Sequence, residues 1–166
     1  MKIRSYVGIC LVLCLLFIAG PGSRNVSADA VDPSMVLTTL DGSDSTTVGD
    51  LYADKPLYIN FWASWCPPCV SEMPDIQTMY EKYGDRINFA AVTVDDNTGD
   101  AAAYQQNAGL TLPIYTGNVD ELVSFYHLDG IPVSVLVDTD GTILARQVGS
   151  MSMAGMELFL SPVLQD

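Results

Sequence analysis

The stretch Asn60–Pro74, "NFWASWCPPCVSEMP", carries two cysteines separated by two prolines, directly behind an apolar and aromatic run. Such a pair can grip a metal, cross-link the chain, or cycle between dithiol and disulfide. The preceding run, "PLYINFW" over 56–62, is short and apolar enough for a buried strand. Pro67 and Pro68 suit a first helical turn. Apolar residues then recur at Val70, Met73, Ile76, Met79, Tyr80 and Tyr83, which predicts a helix ending near Gly84, kinked at Pro74. The pair therefore sits where a strand feeds a helix.

That placement has chemical consequences. Cys66 falls at the helix start, where unpaired N–H groups and the helix dipole favour negative charge. The thiolate is the nucleophile of disulfide exchange, so Cys66 is expected to be ionised and open to solvent. Cys69, one turn on and more buried, is placed to attack a mixed disulfide formed at Cys66. As a cross-link the pair is poor, because so small a loop removes little entropy from the unfolded chain. As a zinc site it is incomplete: about four ligands are needed, and His127 is the chain's only histidine. No metal is assigned, and no cofactor.

At 166 residues, 49% hydrophobic and 16% charged, the chain has the length and composition of one globular domain. Residues 1–30 differ from the rest. Lys2 and Arg4 open them, an apolar run follows from Val7 to Ala19, and Ala28-Asp29-Ala30 closes them. This describes a secretory signal peptide, with cleavage expected after Ala30 or after Ala28, and an uncleaved membrane anchor as the alternative. The apolar run is shorter than the roughly 20 residues of a spanning helix. Cys10 and Cys14 fall inside this segment and read as apolar filler. Residues 31–166 form the expected domain, outside the cytoplasm. They keep four basic against nineteen acidic residues, the wrong sign for a nucleic-acid surface.

Around the pair, "VLTTLDGSDSTTV" predicts a hairpin turning at Asp41-Gly42, and "INFAAVTVD" a second buried strand. "GDAAAYQQNAG" predicts a helix closed by Gly109. "LPIYT" predicts an edge strand because it contains a proline. "NVDELVSFYHL" predicts a helix capped by Asn118. Two strands joined at Asp140-Gly141 and a final helix complete the order. Strands alternating with helices imply an α/β domain with a central mixed sheet covered on both faces.

Two other features bear on chemistry. In "GIPVSV", Pro132 enters an apolar strand; a cis Ile131–Pro132 bond facing the cysteines would leave the Ile131 backbone to bind an extended substrate, and a plain strand-start proline is the alternative. "MSMAGM", Met151–Met156, offers thioethers that suit Cu(I). Met153 and Met156 share one helical face, so core packing is the expected role.

"FWASWCPPC" together with "GIPVSVLVDTDG" resembles the thioredoxin superfamily, and more closely its extracytoplasmic TlpA/ResA-like thiol–disulfide oxidoreductases, from about Met35 onward. The resemblance implies a thioredoxin-like fold with the hairpin as an N-terminal extension. It implies Cys66 as attacking and Cys69 as resolving cysteine, Pro132 as the cis-proline, and Trp65, Pro67, Ile131 and Pro132 as client-binding positions, with Trp62 and Trp65 as the family's aromatic positions. Glu72 matches an acid carried by ResA-like members and would move protons for Cys69; an acid favoured by the helix dipole is the alternative. Asn60 stands where cytoplasmic thioredoxins carry a buried Asp. Ala63 stands where peroxiredoxins carry Thr or Ser, against peroxidase chemistry. The implied function is reduction of disulfides in exported proteins, such as apocytochrome c or methionine sulfoxide reductases, with electrons from a membrane carrier of the CcdA/DsbD kind. A disulfide oxidase or isomerase is the first alternative. A copper chaperone using Cys66, Cys69, His127 or the methionines is the second.

Overall fold

The computed structural model describes residues 30–165; the expected signal peptide, apart from Ala30, and its two cysteines lie outside them. Seven strands form one mixed sheet in the order β2-β1-β5-β4-β3-β6-β7. In chain order the elements are β1 (Val36–Thr39), β2 (Ser45–Thr47), α1 (Val48–Tyr52), β3 (Leu57–Trp62), α2 (Pro67–Tyr83), β4 (Asn88–Thr93), α3 (Thr98–Ala108), β5 (Ile114–Gly117), α4 (Val119–Tyr126), β6 (Val133–Val137), β7 (Ile143–Val148) and α5 (Met153–Leu164). None of these helices is long and apolar enough to cross a membrane.

β3 is buried along its whole length, so its pleat divides the core in two. Leu57, Ile59 and Phe61 face one layer, with Leu122 and Tyr126 of α4 and Val133, Val135 and Val137 of β6. Tyr58 and Trp62 face the other, with Met73, Ile76 and Met79 of α2 and Met156 and Leu160 of α5. Asn60 shares that second face by strand alternation, and its neighbour across the antiparallel β3–β6 pair is Ser134. A polar spot is thus built into the layer that carries α2.

The strand–helix order follows the sequence expectations, including the Gly42 turn (φ +69°) and the left-handed Gly109 closing α3 (φ +65°). β5 differs. It is an interior strand, pairing with β4 on one side and β1 on the other. Pro113 stands just before the strand and contributes only its carbonyl, which accepts from Ala91 N at 3.0 Å, so the proline costs the ladder no donor. The N-terminal hairpin covers what would otherwise be an open edge. The short helix α1 was not expected; Thr47 and Asp50 form a reciprocal capping box at its start.

Pro74 lies inside α2, and the helix continues through it. A proline has no N–H for the carbonyl four residues back, which here belongs to Val70. The Tyr104 hydroxyl of α3 donates to that oxygen at 2.9 Å, and its ring packs 5.4 Å from Trp62. The defect one residue beyond Cys69 is thereby repaired from a neighbouring helix.

Candidate active site

The site is assembled at the end of β3. Val94 N donates to Trp62 O at 2.9 Å, extending the β3–β4 ladder, and Cys66 N donates to Ala63 O at 3.2 Å, closing a tight turn. The turn delivers Cys66 to the N-cap of α2, with Pro67 and Pro68 as the first two helical residues. Cys69 N donates to Cys66 Sγ at 3.4 Å. The Cys66 sulfur therefore occupies the place where a capping oxygen usually sits, facing the positive end of the helix. Cys66 and Cys69 are joined as a disulfide, their Cα atoms 5.2 Å apart.

Cys66 is only 4% exposed and Cys69 fully buried. The expected order of burial holds, but the expected openness of Cys66 does not. The loop before β6 closes over it: the Ile131–Pro132 peptide is cis, and the Ile131 carbonyl oxygen lies 3.8 Å from Cys66 Sγ. Trp65, 67% exposed, stands beside the pair as a large unburied apolar surface. Pro67 is exposed, Ile131 half-buried and Pro132 buried. The structure thus brings Trp65, Pro67, Ile131 and Pro132 around the cysteines by chain adjacency or direct approach.

Behind Cys69 lies a buried polar chain. Glu72, 3% exposed, accepts from Asn60 Nδ2 at 3.1 Å and, through its other oxygen, from Met151 N at 3.0 Å. Asn60 Nδ2 also donates to Ser134 Oγ at 3.1 Å, and Ser134 Oγ shares a hydrogen bond of 2.9 Å with the Tyr58 hydroxyl. Burial raises the Glu72 carboxyl above its ordinary value; the bonds from Met151 and Asn60 offset this only partly. Burial also raises the Tyr58 phenol. Glu72 is the sixth residue of α2 and is buried. Asn60 Oδ1 and Trp62 Nε1 are buried without hydrogen-bond partners among the described residues.

A second carboxylate was missed in the sequence. Asp95, 4% exposed, follows β4 and accepts from Ser64 N and from Ser64 Oγ, both at 2.9 Å, and from Thr93 Oγ1 at 2.6 Å. The available signal was an acid at the end of "FAAVTVD", the strand that runs parallel to β3. The methionines take the packing role: Met156 is buried, and Met151 and Met153 pack against the α2–α5 layer. His127 caps α4 with φ +48°, and α4 packs on the opposite face of the sheet, which separates it from the methionines.

Comparison with known proteins agrees with this geometry. The family model described as Redoxin matches residues 27–157. The chain is 29% identical over 139 residues to the thiol-disulfide oxidoreductase ResA of Geobacillus kaustophilus, covering 83% of this chain and 79% of that one. It is 26% identical over 148 residues to the sporulation thiol-disulfide oxidoreductase A of Bacillus subtilis, covering 87% and 88%. Among solved structures it is similar to a thiol:disulfide interchange protein of the thioredoxin family from Chlorobium tepidum, with TM-score 0.67 and 26% identity, covering 81% and 99%.

Proposed function

The chain belongs to the Redoxin family, with a ResA-like thioredoxin fold, and from that premise we propose that it reduces disulfides of exported proteins outside the cytoplasm. Its activity class is thiol–disulfide oxidoreductase. The observation that carries the assignment of roles is Cys66 Sγ at the N-cap of α2, bonded to Cys69 and faced by the Ile131 carbonyl.

In the reduced protein the Cys66 thiolate attacks one sulfur of a client disulfide, forming a mixed disulfide and releasing the other client sulfur as a thiolate. Cys69 loses its proton and attacks Cys66 Sγ, breaking the bond from Cys66 to the client, whose second sulfur leaves as a thiolate and, like the first, takes up a proton. The client leaves as a dithiol, and two electrons have passed to it from the Cys66–Cys69 pair, which ends as the disulfide seen here. Glu72, with its raised proton affinity, takes the Cys69 proton in this scheme. Trp65, Pro67, Ile131 and Pro132 form the surface on which the client segment lies. A membrane thiol carrier of the CcdA/DsbD kind returns the pair to the dithiol. Apocytochrome c and methionine sulfoxide reductases are the proposed clients, by resemblance to the family. Residues 1–30 act as the export signal in this reading.

Redox titration of the pair against glutathione tests the direction. Thioredoxin-fold potentials span roughly −270 to −120 mV. A value near the reducing end is expected; one near the oxidising end would make the protein an oxidase.

A further inference from the structure

We propose that Asp95 is a positioning residue for Cys66: its carboxylate grips the turn that sets the attacking sulfur on the helix N-terminus. This rests on the thiol–disulfide exchange reading above.

The geometry is specific. Ser64 occupies the second position of the Ala63–Cys66 turn, and Asp95 holds it by both its main-chain N–H and its hydroxyl. Asp95 is itself fixed. Thr93 Oγ1 donates to its carboxylate at 2.6 Å and accepts from its backbone N at 3.1 Å, and Thr93 is fully buried at the end of β4. Together with the bond from Val94 N to Trp62 O, three bonds tie the approach to Cys66, residues 62–65, onto the two residues that follow β4. A cap works only while its acceptor stays over the helix N–H groups, so a turn free to shift would weaken the contact of Cys66 Sγ with Cys69 N. Charge acts in the other direction, since a carboxylate near a thiolate opposes its ionisation. The inference is that position outweighs charge.

Substitution separates the two effects. In Asp95→Asn the amide oxygen can accept from Ser64 N and Thr93 Oγ1 while the amide nitrogen donates to Ser64 Oγ, so the grip survives without the charge. Asp95→Ala removes both. The measurement is iodoacetamide modification of the full reduced chain across pH, with Cys66 followed by peptide mapping. Losing this alignment should slow Cys66 modification near neutral pH about two- to fivefold in Asp95→Ala and move its inflection upward, the scale of a charge–helix-end interaction. Asp95→Asn, which keeps the grip and loses the opposing charge, should react at least as fast as wild type. Ser64→Ala, which keeps the main-chain donor and leaves the core untouched, should show a smaller slowing, and it serves if Asp95→Ala does not fold. Faster modification in both Asp95 variants would show that charge dominates, and unchanged profiles in Asp95→Ala or Ser64→Ala would show a purely structural residue; either overturns the proposal. If wild-type Cys66 itself reacts like an ordinary free thiol, the functional reading fails instead.

Discussion

Two buried carboxylates flank the cysteine pair, and their surroundings give them different work. Asp95 lies ahead of Cys66 and accepts from a turn backbone N–H and two hydroxyls. Glu72 lies behind Cys69 in the apolar layer between sheet and α2, with one side-chain amide and one backbone N–H as donors, and burial raises its proton affinity. In the proposed scheme the same functional group serves as an anchor where donors converge on it and as a proton acceptor where desolvation dominates.

The largest expected difference between them is kinetic. Glu72→Gln should slow resolution of a Cys66 mixed disulfide by about a hundredfold, the lower range for losing a general base, whereas Asp95→Asn should slow it far less. Stopped-flow measurement of product release distinguishes them, and equal slowing would erase the contrast. Stability should show the reverse order. Asp95→Ala strands the Ser64 and Thr93 donors and should cost about 2 kcal/mol in denaturant unfolding of the oxidised protein, with Asp95→Asn well under that; equal costs would mean the grip is not made of these bonds.

Glu72 should also set a pH dependence. Its folded-state pKa lies above the ordinary 4.5. Its contribution to stability is therefore fully present below that value and is lost as pH rises through the folded-state pKa. Glu72→Gln does not titrate, so its stability relative to wild type should improve as pH rises from about the ordinary 4.5 through the raised folded-state pKa of Glu72; a constant gap would place Glu72 in a wetter site. The smallest expected effect concerns the repair of α2. Tyr104→Phe leaves the Val70 carbonyl without its donor and should cost about 1 kcal/mol, and a cost near zero would mean solvent replaces the hydroxyl.

Much of this was legible in the chain because the signals are local. The apolar run into Cys-Pro-Pro-Cys fixes a strand, a turn and a helix start within fifteen residues, and Gly84 and Gly109 mark helix ends directly. β5 was misjudged for a nonlocal reason: Pro113 looked like an edge signal, while the pairs between β1 and β5, from Thr39 with Tyr115 to Leu37 with Gly117, join residues 76 to 80 positions apart. Asp95 was invisible for the same reason. Its partner Ser64 is thirty-one positions away, and only the parallel register of β3 and β4 brings them together. Glu72 was found through family resemblance, but its partners Ser134, by way of Asn60, and Met151 come from β6 and the loop after β7. The openness of Cys66 was misread because the covering loop arrives from residue 131.

The central claim is that Cys66 attacks and Cys69 resolves. Incubating Cys69→Ser and Cys66→Ser variants with an extracytoplasmic protein fraction and resolving mixed disulfides on non-reducing gels tests it most directly. The account predicts client proteins covalently held by Cys69→Ser through Cys66, and none held by Cys66→Ser. Equal capture by both variants would contradict it.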